Sequence, residues 1–210
     1  WPALVANLLV ALREATPERV AEFAEGGLPF LRAELMLHHS PGEAIAESGR
    51  VVQLFLEMGL ARSSQDGKLR AADRYSPEHA GLELLARSLR HLLRRNYLTI
   101  ALVTGVGSGK LKRERLEELM QMLTQRLSLL FEFAPPDFYE RSTFASYIDT
   151  LLETGLLRED ADGSLSLHEH TRTWERYVER LLPADAVLAI RRVAGDRTPP
   201  AATRIDRNDE

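Results

Sequence analysis

Residues 56–69, LEMGLARSSQDGKL, return as residues 152–165, LETGLLREDADGSL, at a constant separation of 96 positions. Leu56 meets Leu152, Glu57 meets Glu153, Gly59 meets Gly155, and Leu60 meets Leu156. Arg62 meets Arg158, Asp66 meets Asp162, Gly67 meets Gly163, and Leu69 meets Leu165. A repeat restricts architecture more than any local propensity, because both copies must be built the same way. Asp-Gly between two short alternating runs is the signature of a hairpin turn. Helical spacing precedes each hairpin: Val51, Val52 and Phe55 in the first copy, Tyr147, Ile148, Leu151 and Leu152 in the second. Each unit therefore reads as helix, helix, β-hairpin, the order of a winged-helix module. The fold class expected is mainly α, with two related winged-helix-like units joined by a long central helix.

The rest of the chain fits around these units. Ala3–Glu14 is a leucine-rich helical run, and Thr16-Pro17 opens a short helix that Gly26-Gly27 is expected to break. Ser40-Pro41 and Ser76-Pro77 open two more helices, the second running on to Val103 with Leu82, Leu85, Leu89 and Leu92 along one side. Leu116 to Leu130 is amphipathic, Pro135-Pro136 stops it, and a last helical pair lies around Trp174 and Val187. Three segments follow: residues 1–75 with the first unit, 76–194 with the long helix and second unit, and 195–210 as a polar, Pro-containing, disordered tail.

Composition enters as a set of exclusions. The 210 residues contain no cysteine, so neither a disulfide scaffold nor a thiolate zinc site is available. A net charge of -4 exerts no general pull on nucleic acid. The helices that would enter a DNA groove are acidic: Glu43, Glu47 and Glu57 against Arg50 in one, Asp137, Glu140, Asp149 and Glu153 against Arg141 in the other. Phosphates would repel both, so nucleic acid is not an expected partner. No apolar run is long enough to cross a membrane. The chain begins at Trp1 inside a helical pattern, and is expected to be a piece of a longer protein.

Several short patterns invite chemistry. VTGVGSGKLK, Val103–Lys112, suggests a phosphate-binding loop, but Thr104 stands where the first glycine belongs and Leu111 where a hydroxyl should hold Mg²⁺. It is expected instead to be a flexible linker. His38-His39 and His168-x-His170 are near pairs without further ligands, and read as surface residues. Arg87, Arg90 and Arg94 form a stripe with Arg95 beside it, the candidate contact to anionic lipid headgroups. The competing reading is a solvated face paired with carboxylates such as Glu83. Lys110, Lys112, Arg113 and Arg115 are diluted by Glu114, Glu117 and Glu118. Trp174 and Tyr177 read as core, and AVLAIRRVA, Ala186–Ala194, as a segment that either closes the core or lies on a membrane. No catalytic, cofactor-binding or metal-ligating residue is expected.

LPFLRAELMLHHSPGE, the long run YLTIALVTGVGSGKLKRERLEELMQMLTQRLSLLFEFAPPDFYERSTFASYIDTLLETGLL, and AVLAIRRVA carry a resemblance. Over about Leu28–Ala194 the chain resembles the C-terminal region of bacterial membrane-bound glycerol-3-phosphate acyltransferases, with QRLSLL, APPDFYE and FAS as its most specific parts. The resemblance implies a parent enzyme that moves an acyl group from acyl-coenzyme A or acyl carrier protein to glycerol-3-phosphate. That enzyme would make the first intermediate of phospholipid synthesis on the cytoplasmic face of the inner membrane. The family's H-x-x-x-x-D pairs a histidine base with an orienting aspartate. Five positions after the six histidines stand Glu43, Ala44, Leu84, Asn96, Thr173 and Glu175. The reacting groups are therefore expected upstream, in a catalytic domain that this chain partners.

Overall fold

A computed structural model describes residues 1–35, 37–131 and 141–195. The order is α1 (Pro2–Leu12), β1 (Glu14–Ala15), α2 (Pro17–Leu35), α3 (Pro41–Glu57), β2 (Ala61–Ser63), β3 (Leu69–Ala71), α4 (Pro77–Val106), β4 (Leu111–Lys112), α5 (Arg113–Phe131), α6 (Arg141–Glu153), β5 (Leu157–Glu159), β6 (Ser164–Leu167), α7 (Glu169–Leu181) and α8 (Ala184–Ala194). The chain is mainly helical, with two small sheets.

The helix starts are written locally. Ser40 makes a full capping box on α3: its Oγ accepts from Glu43 N at 3.3 Å, while its own N donates to Glu43 Oε2 at 2.7 Å. Ser76 Oγ accepts from His79 N at 3.1 Å, and Thr16 Oγ1 from Arg19 N at 3.2 Å. Proline follows each of these residues, in the helical position where its missing N–H costs nothing.

The repeat holds in detail. Ala61 pairs with Ala71 and Ser63 with Leu69 in one hairpin; 96 positions on, Leu157 pairs with Leu167 and Glu159 with Leu165. Ser64 N donates to Lys68 O at 2.8 Å, and Asp160 N to Ser164 O at 2.9 Å. Gly67 and Gly163 both take positive φ, 76° and 77°, at the turn. Each hairpin gains a third strand that sequence reading does not supply. The two-residue β1 joins β3 antiparallel, and β4 joins β6, with Ala15 opposite Leu69 and Leu111 opposite Leu165. The two sheets are ordered β1-β3-β2 and β4-β6-β5.

This matching extends the repeat beyond the hairpins. α1, β1 and α2 correspond to the end of α4, β4 and α5. The glycine-rich segment is thus not a loose linker but the corner where α4 turns into β4, with Lys110 N donating to Gly107 O at 3.1 Å and Gly109 N to Leu165 O at 2.9 Å. Gly109 has φ 74°. Its counterpart, Arg13, has φ 68° and is the non-glycine residue with positive φ among those described.

A second correction concerns Gly26-Gly27. α2 does not stop there but continues past Pro29 to Leu35. The glycines lie where α7 crosses: a Cβ at Gly27 would sit 2.8 Å from the Trp174 ring, and one at Gly26 3.1 Å from that of Tyr177. They make room for aromatic side chains rather than ending a helix.

One apolar cluster runs from Leu4 to Ala194 and joins both copies. α1 packs along α4, where Asn7 Nδ2 donates to Ala86 O at 3.2 Å inside the core. Residues Asn96 to Val103 of α4 are buried on every side, which puts this stretch at the centre. A leucine buried this fully contributes about 1.5–3 kcal/mol. No helix among the described residues is long and apolar enough to cross a membrane. Pro135-Pro136 and the polar tail after Gly195 lie outside the described residues.

Candidate functional site

The four arginines of α4 fall into different environments. Arg95 turns inward: it forms an ion pair with Glu34 of α2 and lies 4.9 Å over the Tyr147 ring of α6. Burial holds the Glu34 carboxyl above the usual carboxylate range, and Arg95 opposes that rise. Arg90 is half-buried and pairs with Glu83 at 2.7 Å. Arg94 is half-buried and also engaged. Arg87 is exposed and makes no ion pair among the described residues. The stripe is therefore not one surface; burial parts it.

The second basic cluster is largely consumed by its acidic neighbours. Arg113 reaches Glu117 at 3.2 Å and Asp149 at 2.6 Å, pinning α5 to α6, and Arg115 reaches Glu118 at 2.9 Å. The hydrogen bond from Arg113 holds Asp149 below the ordinary aspartate range. Lys110 and Lys112 are exposed. His38 is exposed, His39 meets the edge of Trp1 at 5.7 Å, and His168 is half-buried at the end of the second hairpin. The side chain of His170 is outside the described set. Among the described residues no three His, Asp or Glu side chains converge as a metal site.

The aromatic pair belongs to the core. Trp174 is 1 % exposed, stacks on Phe30 at 5.2 Å, and meets Tyr177 edge-on at 6.2 Å. The AVLAIRRVA segment is α8, which closes the core with Ala186, Val187, Ile190 and Ala194. Its Arg191 is nearly buried, donating to the Tyr97 hydroxyl at 2.6 Å and to Glu179 at 3.1 Å. Burial pushes the Tyr97 phenol up to about 12.

Sequence reading misses a cleft of about 450 Å³ between α1, α4, α7 and α8. Arg13, Arg74, Arg90 and Arg180 line it, with Glu83 and His79. These residues are scattered over 168 positions, so no local pattern announces them. The one available signal is Arg13, which occupies the place that Gly109 fills in the other copy.

Comparison with known proteins bears on the whole chain. The family model described as "Glycerol-3-phosphate acyltransferase C-terminal region" matches residues 1–160. A glycerol-3-phosphate acyltransferase of Pseudomonas paraeruginosa is 36 % identical over 209 residues, 99 % of this chain and 25 % of its own length. Those of Pseudomonas fluorescens and Ectopseudomonas mendocina are each 34 % identical, covering 97 % and 96 % of this chain and 24 % of their own length. The chain thus spans about a quarter of the curated relatives it matches. No solved structure matches it.

Proposed function

This chain belongs to the family of glycerol-3-phosphate acyltransferase C-terminal regions, and from that premise we propose that it is the accessory domain of such an enzyme. The parent transfers an acyl group from acyl-coenzyme A or acyl carrier protein to glycerol-3-phosphate, yielding lysophosphatidic acid for phospholipid synthesis. It works peripherally at the cytoplasmic face of the bacterial inner membrane. The domain braces or regulates an upstream catalytic domain and takes no direct part in the chemistry.

One observation carries this reading: none of the six histidines is followed five residues later by aspartate. A general base needs a partner to hold its tautomer and orientation. That spacing is absent here, and His79, in the first turn of α4, is nearly buried. Arginine–carboxylate pairs tie α4 to α2 and α5 to α6, which is the work of a support.

Acyl transfer assayed with the 210 residues alone should be absent, while the intact protein turns over. Turnover of glycerol-3-phosphate by this chain unaided would end the proposal. Arg87 is the member of the stripe best placed to touch anionic headgroups, being exposed and unpaired among the described residues. In sedimentation of the intact protein with anionic vesicles, Arg87→Glu should weaken binding; unchanged binding removes that contact.

A second reading draws on the repeated sheet. The order helix, strand, helix, helix and hairpin, with the first strand beside the last, occurs twice, and it supports reading each unit as winged-helix-like. It favours a protein-binding module, because α3 exposes Glu43, Glu57 and Leu54 and little positive charge. Retention of duplex DNA that falls steeply with salt would argue for the groove-binding use instead.

A further inference from the structure

We infer that the arginine-lined cleft between α1, α4, α7 and α8 binds an anion carrying phosphoryl groups. Four elements converge on it. Arg13 follows α1, Arg74 precedes α4, Arg90 projects from α4, and Arg180 lies in the last turn of α7. The sole carboxylate among the lining side chains is Glu83, already paired with Arg90. Arg13, Arg74 and Arg180 make no ion pair among the described residues, although acidic residues outnumber basic ones, 31 to 27. Helix dipoles account for a cation at the ends of α1 and α7 taken singly. They do not account for Arg74 and Arg90 being drawn to the same place.

Two buried atoms point the same way. His79 is 7 % exposed and lines the cleft, and its Nδ1 has no hydrogen-bond partner. Arg90 Nε is buried and equally unpartnered. An unmet buried polar atom is costly, so it is rarely retained without a use. The cleft also takes in Pro183 and Ala184, the start of α8, where no side chain caps the helix. The free N–H groups of that first turn add donors and a positive field. Guanidinium forks match the paired oxygens of phosphate better than any other side chain. A volume of about 450 Å³ falls within the range of small-molecule pockets.

The phosphoryl group could come from a soluble phosphate or from a lipid headgroup, and hydrogen exchange on the intact acyltransferase separates the two. Residues 72–79 and 180–187 are followed with inorganic pyrophosphate, with phosphatidylcholine vesicles, and with vesicles containing phosphatidic acid. Slowed exchange with pyrophosphate identifies a soluble phosphate. Slowing only with phosphatidic acid vesicles identifies a headgroup. In either case Arg74→Ala with Arg180→Ala should weaken the response at least tenfold, since losing a charged hydrogen bond costs about that factor. Both residues are exposed, so the fold survives, which unchanged exchange in residues 96–103 verifies. The inference is overturned if neither pyrophosphate nor phosphatidic acid vesicles slow exchange there, if phosphatidylcholine vesicles slow it as much, or if the double variant responds like the unsubstituted protein. The readout is local and does not depend on acyl transfer, so failure of the catalytic reading would leave it intact.

Discussion

Gly27 shows how a residue's meaning changes with its surroundings. By propensity a glycine pair ends a helix, and here it does not. Alanine is worth about 1 kcal/mol over glycine in a helix interior, but at position 27 its Cβ would lie 2.8 Å from Trp174. Trp174 is held between Phe30 and Tyr177 and has nowhere to retreat. Overpacking of this kind costs about 1–3 kcal/mol, so Gly27→Ala should destabilise the chain. Gly49, in α3, has nothing within 4 Å of its Cβ position. Gly49→Ala should stabilise by up to ~1 kcal/mol. Chemical denaturation of the two variants decides; equal gains would show that Trp174 does not press on α2.

At the scale of elements, the hairpins were readable because their information is local. Asp-Gly turns and alternating flanks sit within the hairpins they shape, and the same pattern recurring 96 residues on reinforces the reading. The aspartates also hold the turns, from opposite sides. Ser64 hydrogen-bonds Asp66 from before it, and Ser164 reaches Asp162 from after it, at 2.6 Å. The Ser64 bond, then Lys68, lowers Asp66 from 3.8 to about 2; the Ser164 bonds lower Asp162. A depressed carboxyl stabilises the fold above its unfolded value, and that contribution fades as pH falls through the folded one. The first turn should therefore loosen between pH 3.8 and about 2. The Gly67 amide should report this in an NMR titration, and Asp66→Asn should abolish the response there without touching Gly163. β1 and β4 escaped sequence reading because two residues carry no periodicity; they are strands only because β3 and β6 offer an edge.

Across the whole molecule, Arg95 joins three helices from both copies by pairing with Glu34 and covering Tyr147. Arg95→Ala would strand a buried carboxylate, at a cost of about 3–5 kcal/mol. Adding Glu34→Gln should return much of it. Burial raises Glu34, so its contribution is greatest below its unfolded value and is lost as pH rises through the folded one. Without Arg95 that loss should deepen, and denaturation at pH 4 and pH 7 should show the single variant suffering more at the higher pH. The sequence by itself determined the caps at Ser40 and Ser76 and the hairpin turns, because each depends on residues within a few positions of one another, and the repeat, because its two copies match position by position. Only the tertiary structure decided that α2 runs through its glycines, that one arginine of α4 is interior while its neighbour Arg87 is exposed, and that four distant arginines meet in a cleft. Those outcomes depend on partners far apart in the chain, such as Glu34, 61 positions from Arg95, which come together only when apolar faces pack and carry their polar residues with them.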